Sequence, residues 1–367
     1  LKNLQKKGFI VNKHIFWKSL FLITLVSFSP SITADQSLKF KGDLRLRLQN
    51  DWQSNDNRLR ERFRFRFGAK KELSRQTDIN FGLATGSNDS RSTNQTYDNS
   101  FETVDIRLDY AYLKHNYSNS IEFTLGKMKN PVWTPSDLLW DSDINPNGIH
   151  LNYATQGYKN LNINTALFII DENNNSTDKD PVLAVVQPQY TWDLNRQTTI
   201  KNALSIYLTK DVKGAAFGSQ SAGTNTGATT GLNDEFYPIT LSSQVSLATM
   251  YGLELIQPFG ELVLNTNCDS NNRGGIIGIK LGNKKVNSRS AWQTKVSYRY
   301  LESDAWLDIL PDSDAYDGAT DRKGFEIILD YGLSKYSKLT LDYYAMNKIS
   351  NTVSTDYLVQ LDLNIKF

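Results

Sequence analysis

Arginine and phenylalanine alternate from Arg60 to Phe67, so that Arg60, Arg62, Arg64 and Arg66 fall on one face of an extended chain and Phe63, Phe65 and Phe67 on the other. Two architectures accept such a strand. In a soluble sheet the phenylalanines cover a core and the arginines meet bulk water. In a membrane barrel the phenylalanines face lipid and the arginines face a wet interior. About sixteen segments share this period, and the connections between them alternate short and long, which selects the second architecture. The expected fold class is therefore all-β: a transmembrane antiparallel β-barrel of about 16 strands with short periplasmic turns and long extracellular loops.

The amino end reads as an export signal over 1–34. Lys2, Lys6, Lys7, Lys13 and Lys18 precede the apolar stretch Leu20 to Phe28, and Ser31-Ile32-Thr33-Ala34 offers a cleavage site. The apolar core is shorter than the roughly 20 residues that a membrane helix needs. Removing those five lysines from 41 basic residues leaves 36 against 39 acidic ones, a charge near −3 that gives no reason to expect nucleic acid. The single cysteine, Cys268, excludes an internal disulfide. Residues 35–367 show no break in composition, and they are expected to form one barrel.

Strands are expected near Leu38 to Gln49, Arg60 to Phe67, Ile79 to Leu83, Val104 to Tyr112, Ile121 to Met128, Ile149 to Ala154, Leu161 to Ile170, Pro181 to Asp193 and Thr198 to Thr209. Asn50 to Asn57 and Gly86 to Phe101 read as surface loops. On the fourth strand Val104, Ile106, Leu108, Tyr110 and Tyr112 are placed on one face. Pro258-Phe259-Gly260 reads as a turn within the weaker strand signals from Thr240 to Asn267. Further strands follow near Gly274 to Leu281, Ala291 to Leu301, Gly324 to Tyr331, Lys338 to Met346 and Thr355 to Phe367. Residues 210–237, rich in Gly, Ala, Thr and Ser, are expected to be a mobile extracellular loop.

Charge placement carries more chemistry than any catalytic motif. Three histidines, of which His14 lies in the leader, form no metal-spaced set with His115 and His150, and no nucleophile elbow, phosphate loop or cysteine pair is visible. No enzyme activity, cofactor or metal is expected. Arginine at the bilayer midplane costs about 2–4 kcal/mol, so the arginines must point inward. Arg45, Arg47, Arg60, Arg62, Arg64, Arg66 and Arg107 are the expected basic lining. Asp105, Asp109, Asp330, Asp342 and Asp362 are the expected lumen carboxylates. The loop 129–148, through Asp137, Asp141 and Asp143, is a candidate constriction that sets acidic groups against the basic wall.

The motifs Gly42-Asp43-Leu44-Arg45-Leu46-Arg47, Ala84-Thr85-Gly86-Ser87, Ser92-Thr93-Asn94-Gln95-Thr96 and Leu125-Gly126-Lys127-Met128-Lys129-Asn130-Pro131 resemble the putative porin family of bacterial outer membranes. So do Asp137-Leu138-Leu139-Trp140-Asp141-Ser142-Asp143-Ile144-Asn145-Pro146, Pro311-Asp312-Ser313-Asp314 and Asp321-Arg322-Lys323-Gly324. The similarity spans nearly the whole mature chain, with a more distant one to alginate-export barrels, and implies a sixteen-stranded channel of unassigned cargo. The partners expected are outer-membrane lipid, the barrel-assembly machinery through the C-terminal strand ending in Phe367, and small solutes or ions. A homotrimer would need a flat apolar outer patch that sequence does not locate. Passive passage of small hydrophilic or charged solutes is the function expected. The alternative is a non-conducting adhesin or receptor that presents 86–101 and 210–237 as binding loops.

Overall fold

The computed structural model describes residues 38–367 apart from 54–55, 99, 102, 156–159, 174–178 and 352–353. The expected export signal over 1–34 lies outside the described residues. Every period-two segment becomes a strand: β1 (Lys39–Gln53), β2 (Asp56–Glu72), β3 (Thr77–Ala84), β4 (Gln95–Thr96), β5 (Arg107–Asn116), β6 (Ile121–Lys127), β7 (Asn147–Ala154) and β8 (Leu161–Ile169). They continue as β9 (Val182–Asp193), β10 (Thr198–Lys210), β11 (Pro238–Met250), β12 (Leu253–Asn265), β13 (Arg273–Gly282), β14 (Trp292–Leu301), β15 (Arg322–Gly332), β16 (Ser337–Lys348) and β17 (Thr355–Lys366).

Each strand pairs antiparallel with the next, except that β3 pairs with β5 and the two-residue β4 adds to β2 above it. The pairing of β1 with β17, from Asp43 opposite Lys366 to Trp52 opposite Tyr357, closes sixteen strands into a barrel. Closure leaves no edge strand, which is the condition for a sheet to sit in hydrocarbon. The outer face is correspondingly apolar: Leu46, Leu48, Leu167, Leu204, Ile277, Phe325 and Leu361 are all exposed. Around the rim that carries the short turns, Phe40, Tyr117, Trp192, Trp292, Tyr336 and Phe367 are exposed aromatics, as befits a membrane–water boundary.

Three expectations are corrected. Asn50 to Asn57 is not a surface loop, since β1 runs to Gln53 and β2 starts at Asp56, with Asn50 opposite Leu59 and Asp51 opposite Arg58. Polar residues did not end the strand because its inner face is wet: Asp51 is ion-paired with Arg60 at 2.6 Å. The turn expected at Pro258 lies instead at Tyr251–Gly252, where both residues have positive φ (52° and 78°). Pro258 stays inside β12 because its missing N–H falls where the ladder to β11 skips Val245 and Ser246. On β5, Tyr110 and Tyr112 do not share a face with Leu108. A bulge shifts the register so that Gly82 faces Tyr110 and Leu83 faces Leu108, leaving Asp109 unopposed. Leu108 is 56 % exposed, whereas Tyr110 turns inward to 6 % and lies over Gly68 and Gly82.

The seam depends on close packing as well as on hydrogen bonds. Gly42 and Phe367 exchange backbone bonds of 2.9 and 3.0 Å, and the Phe367 ring stacks near Phe65 with centroids 6.2 Å apart. A Cβ on Gly42 would come within 2.4 Å of that ring and 2.8 Å of the Arg66 carbonyl oxygen. Gly42→Val is therefore expected to weaken closure by about 1–3 kcal/mol. The check is the temperature at which the folded barrel loses its fast electrophoretic migration, which should fall relative to the parent and recover in part in Gly42→Val/Phe367→Ala.

Candidate functional site in the barrel interior

The inner wall is built first by register. Arg45 stands opposite Arg64 and Arg47 opposite Arg62, so that β1 and β2 bring like charges side by side, while Asp43 stands opposite Arg66. Such a wall persists only if carboxylates interleave it. Arg47, 4 % exposed, donates Nε (2.7 Å) and Nη2 (2.9 Å) to Asp362 and Nη1 to Asp314 at 3.0 Å. Arg45 reaches Asp362 at 3.2 Å, Arg64 reaches Asp43 at 2.8 Å, and Arg66 bridges Asp43 (2.9 Å) and Asp143 (3.1 Å). Arg62 differs. Among the described residues it has hydrogen bonds to Gln49 and the Asn94 carbonyl, both 3.2 Å, and no ion pair.

Of the carboxylates expected to balance this column, Asp362 and Asp143 touch it. Asp105 lies before β5 and reaches Arg107 at 3.5 Å, while Arg107 itself donates to the Gly86 carbonyl at the long-loop rim. Asp109, freed by the bulge, accepts from Lys129 at 3.0 Å, and Asp330 pairs with Lys338 at 2.6 Å. Asp342 is buried on the inner face, its Oδ1 without a hydrogen-bond partner among the described residues. The partners that sequence reasoning missed are Asp43, Asp51 and Asp314. Asp43 and Asp51 have the same parity as Arg45 and Arg47, so alternation alone pointed to them; Asp314 is brought in by a distant loop and carried no local signal.

The connection 128–146 leaves the wall early, because β6 has 7 residues and β7 has 8, and it turns inward. Its three acidic residues go to three places. Asp143 accepts from Arg66 and from the backbone N–H (3.0 Å) and hydroxyl (2.8 Å) of Thr93. Asp137 crosses to the far wall, where Lys295 (3.3 Å) and Arg299 (2.6 Å) of β14 hold it and share Glu326 of β15 at 2.6 and 3.0 Å. This second basic site was readable from the shared face of Lys295, Ser297 and Arg299. Asp141 has no ion pair among the described residues and accepts the backbone N–H of Ser313 at 2.8 Å.

These surroundings act on the loop carboxyls in opposite directions. Burial, then the neighbouring Asp143, pushes Asp141 well above the usual carboxylate range. Burial also opposes ionisation of Asp137, but Lys295 and Arg299 overcome it and hold that carboxyl low. Asp314 is likewise brought down to about 2, with Arg47, Gln360 and Arg45 outweighing its burial.

Two more connections fold inward and join the first. Leu138, Leu139 and Trp140 pack in one apolar cluster with Phe168, Val185 and Tyr207 of the wall, Leu232 and Phe236 from 211–237, and Trp306 and Leu310 from 302–321. Trp306 donates Nε1 to the Leu139 carbonyl at 2.6 Å and meets Trp140 and Tyr207 edge-on. Asp308 accepts from the Ser221 hydroxyl (2.9 Å) and the Thr224 and Asn225 backbone N–H groups (2.7 and 3.2 Å). Asp304 accepts from the Thr226 N–H at 2.8 Å. The segment 210–237, whose composition suggested mobility, is thus held against its neighbours. Beside this packed body, β1, β2 and β17 leave a polar cavity of about 150 Å³ lined by Arg60, Arg62, Asp51, Asp314 and Asp317 among others.

Known proteins share the barrel. The high-pH structure of Pseudomonas putida OprB is 11 % identical over 90 % of this chain and 94 % of its own, with a TM-score of 0.60. The trimer form of in-vitro folded OmpT from Vibrio cholerae is 13 % identical over 91 % of this chain and 100 % of its own, with a TM-score of 0.53. A variant of Rhodopseudomonas blastica porin is 11 % identical over 90 % of this chain and 100 % of its own, with a TM-score of 0.51. At such identities the likeness speaks for the fold. No curated protein matches the sequence significantly. The model of the family described as "Putative porin" matches residues 52–238 and 217–367. Matched over most of its length and closed by sixteen antiparallel strands, the chain belongs to the putative porin family.

Proposed function

We propose that this outer-membrane porin passes small hydrophilic or charged solutes down their gradients through a lumen narrowed by 128–146, between a basic wall and the acidic groups of that loop. The observation that carries this reading is the staking of one loop to two walls. Asp143 is tied to Arg66 on β2, and Asp137 to Lys295 and Arg299 on β14. A solute crossing between such anchors meets basic wall groups facing loop carboxylates, and a transverse field sorts solutes by charge and dipole as well as by size. Arg45, Arg47, Arg60, Arg62, Arg64 and Arg66 make the basic side in this reading; Arg107 stands at its rim.

In this orientation the short turns face the periplasm, and Phe367 at the end of β17 is the signal read by the assembly machinery. The adhesin alternative can draw on 86–101, which exposes Tyr97 and Phe101, but not on 211–237. Three of the long connections bury their apolar residues inside the barrel instead of projecting them as a binding surface.

Replacing Arg62, Arg64 and Arg66 together by Ser removes three cations and leaves Asp43 and Asp143 less compensated. Planar-bilayer recordings in a salt gradient are expected to show a several-fold rise in cation preference, and an unchanged reversal potential would reject the filtering role. Asp137→Asn removes one carboxylate from a buried set in which Lys295 and Arg299 then share only Glu326, a loss of about 3–5 kcal/mol for such pairs. The expected result is a larger and noisier single-channel conductance with increased anion preference. For Asp314 the folded pKa lies below the ordinary value, so its stabilisation is complete above about 3.8 and is lost as pH falls toward about 2. The near-ultraviolet dichroism of Trp140 and Trp306 should fade over that interval, while the far-ultraviolet signal of the barrel persists.

A further inference from the structure

The cavity beside the packed loops is lined by two charged side chains that form no ion pair among the described residues. Among those lining it, Asp51 is paired with Arg60 at 2.6 Å, Asp314 with Arg47 at 3.0 Å and Asp89 with Arg91 at 3.2 Å, and Asp356 also has a partner. Arg62 and Asp317 remain. A guanidinium has five N–H donors. Arg62 spends Nη1 on Gln49 and Nη2 on the Asn94 carbonyl with a long 3.5 Å approach to the Ser92 hydroxyl, and its Nε is buried without an acceptor. Asp317 is exposed and has no hydrogen bond or ion pair among the described residues.

We infer that this cavity is a subsite for a small zwitterion of the α-amino-acid type, its carboxylate received by Arg62 and its ammonium turned toward Asp317. The inference rests on the porin reading and names the solute class for the same lumen. Size and charge both select the class. A volume of about 150 Å³ is that of a cavity able to take a ligand the size of benzene, so a solute of the size of serine fits. A simple anion would satisfy Arg62 but leave Asp317 facing it, and a simple cation would satisfy Asp317 but leave the donors of Arg62 unused. A zwitterion compensates both at once, and charge-assisted bonds of this kind are the stronger ones. Gln49 and Ser313 supply neutral hydrogen-bonding groups, while Met346 and Leu358 give the cavity an apolar side for a short side chain.

The test is swelling of proteoliposomes carrying the full barrel, with serine as the zwitterion and erythritol as an uncharged solute of similar size. The ratio of the two rates is read within each protein, so that any change in overall conductance cancels. The parent should favour serine several-fold. Arg62→Gln and Asp317→Asn should each bring the ratio close to that of free diffusion, and Arg62→Lys, which keeps the charge but not the fork, should retain part of the preference. Asp317 lies on an exposed loop, so its replacement reports on the subsite even if Arg62→Gln disturbs the wall. A ratio that is equal in parent and variants overturns the inference while leaving the porin reading intact. Absence of swelling in both solutes, together with absence of ion conductance in bilayers, would overturn the porin reading itself.

Discussion

Most of the arginines that β1 and β2 turn into this barrel stand beside a carboxylate, whereas Arg62 is held by neutral acceptors, and that pairing governs much of the interior. Desolvating one charge costs several kcal/mol unless a partner of good geometry is at hand. Asp362 serves Arg45 and Arg47, Asp43 serves Arg64 and Arg66, Asp51 serves Arg60, and Asp143 and Asp314 reach Arg66 and Arg47 from two different loops. The wall therefore recruits its own filling. Charges that a two-stranded ladder leaves uncompensated become the fixed points to which loops are tied.

The loops, in turn, are joined by burial. Trp140 and Trp306 come from connections far apart in sequence, yet they meet with centroids 6.1 Å apart and share a cluster with Phe168 and Tyr207 of the wall. Ionic contacts at the perimeter set where each loop sits, and apolar contacts at the centre make them one body. Asp308, which accepts from Ser221, Thr224 and Asn225, joins the two sets by giving 211–237 a polar anchor inside 302–321.

How much of this could be read beforehand depends on the range of the interaction involved. The period of two found the strands, and its parity found the inward arginines, because both are properties of a single extended segment. It faltered at β5, where one unopposed residue reverses the faces that follow and no pattern in Ile106 to Tyr112 announces the bulge. It also faltered at Asn50 to Asn57, since polarity was taken for a loop although a wet inner face suits polar residues. Asp43 was legible by parity and was passed over. The split destinations of Asp137, Asp141 and Asp143 were not legible, because each is decided by a partner more than forty residues away in sequence. In 210–237, whose composition suggested mobility, the backbone N–H groups of Thr224, Asn225 and Thr226 find acceptors on another loop, which no local pattern announces.

The seam between β1 and β17 bears on how such a chain comes to be made. Gly42 bonds to Phe367, so the first described strand cannot obtain its second neighbour until the last described one has been synthesised. Until then the nascent sheet has two open borders, each a template for unwanted pairing with other chains. Holding the polypeptide unpaired through synthesis and delivery is accordingly a requirement written into the topology, and it falls on whatever escorts the chain before insertion.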